Sequence, residues 1–188
     1  MYARQVTVVS AADVAAELRR RLPGLAVKKQ HKLLYYCQGH HLASCGEPLF
    51  ADTISAWDMG PVVGQLWHQE REGTAQPSGA TLSEAQLNTV GYVVSRYGGL
   101  TGADLERLTH AEPPWQEADQ ARRPKTSAKI SVDSLRAYFG SAASGDDDDD
   151  APVPDSAAVA EWLGRVTAPP RRGEPDSIES LRARLERA

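Results

Sequence analysis

The sequence lacks a long apolar run and has few cysteines. No apolar stretch approaches the roughly 18 residues that a membrane-spanning helix needs, and the first residues lack the apolar core of a signal peptide. The two cysteines, Cys37 and Cys45, would lie roughly 12 Å apart along one helix. A disulfide requires Cα atoms closer than about 7 Å, so the thiols are predicted to stay reduced. These absences predict a cytoplasmic protein with no membrane partner.

Positive charge is also in deficit. The 21 Lys and Arg residues are outnumbered by 25 Asp and Glu residues, which gives a formal net charge of −4. Such a balance does not build a strong field for nucleic acid, so a nucleic-acid partner is not expected. A local basic face stays open as an alternative, because Arg19, Arg20 and Arg21 are consecutive and Lys28 and Lys29 follow.

The familiar motifs of catalytic and metal sites are missing as well. The sequence has no CxxC pair, no HExxH motif, no nucleophile elbow and no phosphate-binding loop. Cys37 and His41 are four residues apart, but a structural zinc needs two further ligands from His31, His68 or His110. A buried cysteine beside partly exposed histidines is the favoured interpretation. We therefore predict no enzymatic activity, no metal and no cofactor.

Three carboxylates flank a short predicted helix near residue 105. Paired carboxylates can serve acid–base chemistry, and the residues concerned are Asp104, Glu106 and Glu112. A solvated charged face, with Asp104 as a helix cap, explains them more simply. The sequence thus predicts that these side chains face solvent.

Apolar residues at three- and four-residue spacing predict a mostly helical chain. Local capping signals mark several helix starts, namely Ser10, Ser83 with Gln86, and Thr101 with Asp104. The predicted helices cover about residues 11–22, 27–44, 61–72 and 84–97. A short helix opened by Thr101 is predicted to be broken by Pro113 and Pro114, and Ser131 is predicted to cap another that ends at Phe139.

The predicted helix over residues 27–44 has an unusually broad apolar surface. Such breadth indicates a central helix that packs on more than one side. Gly46 is predicted to end it in a left-handed conformation.

A short β element is also predicted. Ile54 and Trp57 favour extended structure, which indicates a strand near residues 53–58. Ile130 is expected to pair with it, which makes a two-stranded element. A Gly-Pro turn follows, and Pro61 suits the first position of the next helix because its missing amide needs no partner there.

After residue 140 the sequence changes character. Small residues, prolines and five adjacent aspartates predict a flexible acidic linker over residues 141–155. A tail over residues 156–188 is predicted to form short helices, one of which carries Trp162. A short helix is marginal alone and should dock on this domain or on a partner. The predicted fold is therefore mainly α, a compact multi-helix domain over residues 1–140 followed by this linker and tail.

Four motifs in order resemble the signature of the SocA-like, or Panacea, antitoxin domain. The family has a Lys-Leu-Leu-Tyr-Tyr helix, a Pro-Leu-Phe turn, an Ala-Trp-x-x-Gly-Pro-Val segment and a Leu-Thr-His-x-x-x-Pro-Trp pattern. Their order and spacing agree across about residues 10–139, although Gln30 replaces a residue that is usually apolar. The matching residues are Lys32, Leu33, Leu34, Tyr35, Tyr36, Pro48, Leu49, Phe50, Ala56, Trp57, Gly60, Pro61, Val62, Leu108, Thr109, His110, Pro114 and Trp115.

This resemblance implies a helical domain that neutralises a toxin encoded beside it and has no catalytic residue. Family members usually neutralise by direct contact with a cognate toxin protein, whereas one relative resembles an adaptor that delivers its toxin to a AAA+ protease. Direct neutralisation and delivery to a protease are both possible for this chain. A third alternative is a DNA-binding autoregulator that binds its own promoter. Motif residues and aromatic anchors give the candidate partner-binding set: Lys32, Tyr35, Tyr36, Trp57, Gly60, Pro61, His110, Trp115 and Trp162.

Overall fold

A computed structural model describes residues 9–123 and 126–145 together with Arg182 and Leu185. Within these ranges the chain is mainly α, as predicted, and none of the helices is long and apolar enough to cross a membrane. The bounded helices are α1 (Ala11–Arg21), α2 (Val27–Cys45), α3 (Gly64–Glu72), α4 (Glu84–Tyr97), α5 (Gly102–His110), α6 (Pro113–Ala121) and α7 (Val132–Gly145). The strands are β1 (Ile54–Trp57), β2 (Gly60–Val63) and β3 (Ala128–Lys129).

Helix α2 is the centre of the fold. Every residue from Gln30 to Gly39 is buried, because α1, α4, α5, α7 and β2 pack around this helix. It ends at Gly46, whose φ of 74° is left-handed and whose amide donates to the carbonyl of Leu42 at 3.0 Å. Both the central position and the glycine terminator were predicted from the sequence, and both are confirmed.

Three helix starts carry reciprocal capping boxes. In α1 the Ser10 hydroxyl accepts the Asp13 amide at 3.2 Å, and the Asp13 carboxylate accepts the Ser10 amide at 2.8 Å. The same exchange links Ser83 with Gln86 at α4 and Thr101 with Asp104 at α5. Each box satisfies backbone amides that the first turn of a helix leaves without a partner. These starts lie where the sequence predicted them.

The β element is a three-stranded antiparallel sheet, one strand larger than predicted. Strand β1 lies between β2 and β3, and the Ile130 amide donates to the Ile54 carbonyl at 2.9 Å, which confirms that predicted pairing. The prediction that Pro61 begins a helix is wrong, because Pro61 lies in β2 and the helix begins at Gly64. Proline is tolerated there because β2 is an edge strand, so its missing amide removes no bond to a further strand.

The end of the described region differs from the sequence prediction. Helix α7 continues to Gly145, beyond the predicted end at Phe139 and into the start of the predicted linker. The rest of that linker and Trp162 lie outside the described residues. Arg182 and Leu185 are helical, and Leu185 belongs to the buried apolar core.

Candidate functional site

The Pro-Leu-Phe motif is held by the central helix. The Gln38 side chain accepts the amides of Leu49 and Phe50 at 2.9 and 3.2 Å and donates to the Phe50 carbonyl at 3.0 Å. Gln38 is buried, so no water competes for these backbone groups. This part of the signature positions a loop and does not present a surface.

Glu112 lies inside the last motif and is buried, so the prediction that it faces solvent is wrong. Its carboxylate accepts the hydroxyls of Tyr35 and Tyr36 at 2.8 and 2.9 Å. Burial raises the pKa of Glu112 to about 7, although both tyrosine hydrogen bonds and the charge of Arg182 act in the opposite direction. The two tyrosines are at most 1% exposed, so neither lies on the surface of this structure.

An open cavity of about 780 Å³ lies between the first half of α2, the β1–β2 hairpin and α3. Its volume is typical of ligand sites in proteins. Trp57 and Trp67 form part of its lining, with ring centroids 5.2 Å apart in an edge-to-face arrangement. Met59, at the tip of the hairpin, also lines the cavity and is 43% exposed. The cavity therefore joins two aromatic rings to an exposed apolar side chain.

Lys32 is a buried cation at this cavity. Only 1% of the residue is exposed, and burial lowers the pKa of its ammonium group to about 8, against the opposing effect of the Glu106 charge. Gly60 fits closely beside it, because a Cβ at that position would lie 3.0 Å from Lys32 Cε and 3.2 Å from Nζ. Among the residues that the structure describes, no oxygen accepts a hydrogen bond from Nζ. Two family motifs thus meet at one ammonium group.

A polar network supports the same end of α2. His31 Nδ1 accepts the Val63 amide at 3.3 Å, and its Nε2 donates to Glu70 at 3.1 Å. A ring that accepts an amide hydrogen through one nitrogen is neutral, in line with a pKa lowered by burial. Gln30, the departure from the family pattern, accepts from Arg19 and donates to Glu70, both at 2.6 Å. His31 was expected to be partly exposed but is buried within this network.

His110 and Trp115 stack on each other, with ring centroids 4.0 Å apart and planes 26° apart. Burial lowers the pKa of His110, and the charge of Lys32 acts in the same direction while Glu106 opposes it. Within the described ranges, His110 Nε2, Trp115 Nε1 and Trp57 Nε1 are buried without a hydrogen-bond partner. His110 is close enough to interact with the charge of Lys32, but neither ring is part of the cavity lining.

Most of the basic stretch considered for phosphate contacts is occupied by internal partners. Arg20 and Arg21 pair with Glu17 at 2.7 and 2.6 Å, and Lys29 Nζ donates to the Gly98 carbonyl at 2.5 Å. Arginines held by neighbouring carboxylates are less available to phosphate groups. The arrangement gives no support to a nucleic-acid interface at this end of the molecule.

The candidate nucleophile and metal ligands lie apart or deep in the core. Cys37 is buried, as predicted, and burial raises the pKa of its thiol, which disfavours the reactive thiolate. Cys45 is exposed, and neither cysteine forms a disulfide. In the described part of the chain, no three His, Cys, Asp or Glu side chains are grouped to hold a metal ion.

Comparison with known protein families finds a match to part of the chain. A family model described as "Antitoxin SocA-like, Panacea domain" matches residues 31–116, which run from α2 into α6. No curated protein and no solved structure matches the chain. The matched segment contains all four sequence motifs, together with Lys32 and Trp57 in the cavity lining and Gly60 beside Lys32. The resemblance inferred from the motifs is confirmed, and residues 31–116 are the part of this chain that matches the SocA-like, Panacea domain family.

Proposed function

We propose that this protein is the antitoxin of a type II toxin–antitoxin system and neutralises a cognate toxin by direct binding. The observation that carries the proposal is the cavity at the first half of α2. Most motif residues are buried in the core and contact other core residues, but Lys32 and Trp57 both line this cavity. Motif residues that line an opening, on an otherwise packed signature, are the natural candidates for partner contact.

Exposed apolar side chains favour the same surface. The large apolar residues that stand out as exposed in the described part of the chain are Val27, Met59 and Tyr92. Met59 lines the cavity, and Val27 directly precedes Lys28, which also lines it. Methionine adapts its shape to a partner, and tryptophan is enriched among residues that dominate binding energy. A toxin surface held here would lose access to its own substrate through steric occlusion.

The sheet and α2 hold Trp57 rigidly, which suits a residue that anchors a binding partner. Trp57 is on β1, which is paired on both sides, and β2 packs on α2. A rigid scaffold lowers the entropy lost on binding, because its side chains are already ordered before the partner arrives. The expected interface therefore centres on Trp57, with Met59 and Val27 around it.

The test is neutralisation of the protein encoded by the neighbouring reading frame. Replacing Trp57 and Met59 together by alanine should weaken co-purification at least about 30-fold and remove protection of cells, since buried anchors each contribute about 2 kcal/mol or more. Tyr92→Ala is the matched control, because Tyr92 is equally exposed but lies on α4, away from this cavity. A folded Trp57→Ala/Met59→Ala variant that protects cells fully would exclude this surface.

Toxin half-life separates two ways of neutralising. Delivery to a AAA+ protease shortens the half-life of the toxin, whereas occlusion leaves it unchanged. We expect an unchanged half-life in cells that express both proteins, measured after translation is stopped.

A further inference from the structure

We propose that the cavity at the first half of α2 is an oxyanion site that receives a carboxylate side chain of the bound protein. The inference rests on the proposed function for the source of that carboxylate. Its chemistry rests on the cavity itself, whose lining combines aromatic walls with an ammonium group that has no hydrogen-bond acceptor among the described residues.

Lys32 is the first part of this argument. A buried cation is costly unless an anion or several hydrogen-bond acceptors balance it. Arg122, which also lines the cavity, is balanced by Asp58 and Asp119 at 2.5 and 2.6 Å. Lys29, partly buried on the same helix, donates to a backbone carbonyl. Lys32 has no such acceptor among the described residues, so its charge is available to a group that enters from outside.

The position of the ammonium group is defined by its neighbours. Gly60 has a φ of 100° and leaves space that any side chain would take from Lys32. The Thr109 hydroxyl lies on the same side, but it already donates to backbone carbonyls of α5 at 2.9 and 3.0 Å. Packing therefore places the ammonium without neutralising it, which is the arrangement expected of a preformed anion site.

The ammonium group and the apolar walls together define the ligand. A carboxylate is an oxyanion that can accept hydrogen bonds from the Lys32 ammonium group. Trp57, Trp67 and Val62 give the cavity apolar walls that suit the short methylene stem of an aspartate or glutamate. A hydrated phosphate gains less from such walls. The expected occupant is therefore an acidic side chain of the partner.

The first experiment measures the site without the partner. The full chain carries 5-fluorotryptophan, its fluorine NMR signals are assigned with single Trp→Phe variants, and sodium phenylacetate is titrated at constant ionic strength. The Trp57 and Trp67 signals should shift and saturate, whereas the Trp115 signal should not move. Lys32→Met should weaken binding at least 10-fold and Lys32→Arg should retain it. Lys129→Met removes an exposed lysine that is not part of this cavity lining and should change affinity less than 3-fold.

Folding of the variant provides an internal check. Lys32→Met keeps the length of the side chain and removes a buried charge, so its unfolding midpoint should equal or exceed that of the parent. If Lys32 served only to pack the core, Lys32→Met would lower the unfolding midpoint and would not specifically weaken phenylacetate binding. Equal shifts with phenylacetate and chloride, or tighter binding of inorganic phosphate than of phenylacetate, would also overturn the assignment.

The second experiment tests the source of the carboxylate. Co-purification with the protein encoded beside this one should be lost in Lys32→Met and kept in Lys32→Arg. Equal capture by parent and Lys32→Met would overturn the role of the site in partner binding, while the proposed function would stand on the Trp57→Ala/Met59→Ala result. Saturable phenylacetate binding without any capture by the parent chain would refute the proposed function and the protein source together.

Discussion

At the scale of single residues, Gly60 sets the space beside Lys32. Its φ of 100° is a conformation that residues with a side chain rarely adopt, and an added Cβ would lie 3.0 Å from Lys32 Cε and 3.2 Å from Thr109 Oγ1. We expect Gly60→Ala to lower the free energy of unfolding by about 2–3 kcal/mol, through backbone strain and overpacking together. Urea unfolding followed by tryptophan fluorescence measures the loss.

Gly73 separates the two causes of that loss. Its φ of 71° is also left-handed, but an added Cβ there meets no heavy atom within 4 Å. Gly73→Ala should therefore cost only the backbone strain, about 1 kcal/mol. Equal losses in the two variants would contradict a tight fit between Gly60 and Lys32.

Glu112 makes stability depend on pH. Its pKa of about 7 in the folded chain exceeds the ordinary value of 4.5, so the folded state holds the proton more tightly than the unfolded state does. The contribution of Glu112 to the free energy of unfolding is greatest below pH 4.5. It falls as the pH rises through 7, by about 3 kcal/mol in total. Glu112→Gln keeps partners for Tyr35 and Tyr36 without a charge. At pH 8 it should be more stable than the parent by up to about 3 kcal/mol, and at pH 4.5 nearly equal.

Unfolding of both proteins between pH 4.5 and 8.5 checks this difference. Glu47→Gln, which changes an exposed carboxylate, is the control and should follow the parent at every pH. If Glu112→Gln kept the slope of the parent, another group would be responsible for the pH dependence.

At the scale of elements, sequence signals of short range predicted the structure well. The capping boxes join residues three positions apart, so Ser10, Ser83 and Thr101 mark helix starts without any knowledge of the fold. Strand β2 was missed because a proline suits both a helix start and an edge strand, and only pairing with β1 decides between them. The burial of Glu112 was missed because its tyrosine partners are 76 and 77 residues away.

The candidate site also depends on contacts between residues far apart in the sequence, which local patterns do not predict. The resemblance identified Lys32, Trp57 and Gly60, but nothing in their spacing predicted that Lys32 and Trp57 line one cavity or that Gly60 lies against Lys32. Trp67 lines that cavity and belongs to none of the motifs, so only the packing of α3 beside the hairpin reveals it. Local patterns thus predicted the elements, whereas the site depends on how the elements pack.

The contact between α2 and α7 depends on a glycine. A Cβ at Gly39 would lie 2.2 Å from a ring carbon of Phe139, which is itself buried in the core. Gly39→Ala should therefore lower the free energy of unfolding by about 2–3 kcal/mol. Adding Phe139→Leu should relieve the clash, so that the double variant loses less than the sum of the two single variants by about 1 kcal/mol or more.

Gly140 is the matched control within α7. Among the described residues, an added Cβ there meets no heavy atom within 4 Å, so Gly140→Ala should stabilise the helix by up to about 1 kcal/mol. Strictly additive losses for Gly39→Ala and Phe139→Leu would contradict close packing at this crossing.

At the scale of the whole molecule, the motifs have two different uses. Those held by Gln38 and by the Tyr35–Tyr36 pair organise the core around α2, whereas Lys32 and Trp57 remain at an opening to solvent. Because core packing and the cavity use different residues, the core can stay the same while residues at the exposed ends of the hairpin and α2 differ to suit a different partner. Substitutions of Trp57 and Met59 are thus expected to alter binding more than stability.

Two described residues near the C-terminus act on the same core: Leu185 is buried in it, and the exposed Arg182 acts through its charge. Leu185 is 9% exposed and lines a second cavity of about 760 Å³ with Phe139, and the charge of Arg182 lowers the pKa of Glu112. Deleting residues 146–188 should therefore remove about 1.5–3 kcal/mol of apolar burial and move the pH-dependent loss of stability to higher pH. Leu185→Ala in the full chain should reproduce the first effect alone, and Arg182→Met the second. Urea unfolding measured at several pH values distinguishes the two effects. If the chain without residues 146–188 kept the stability and pH profile of the parent, packing of Leu185 and Arg182 on the domain would be contradicted.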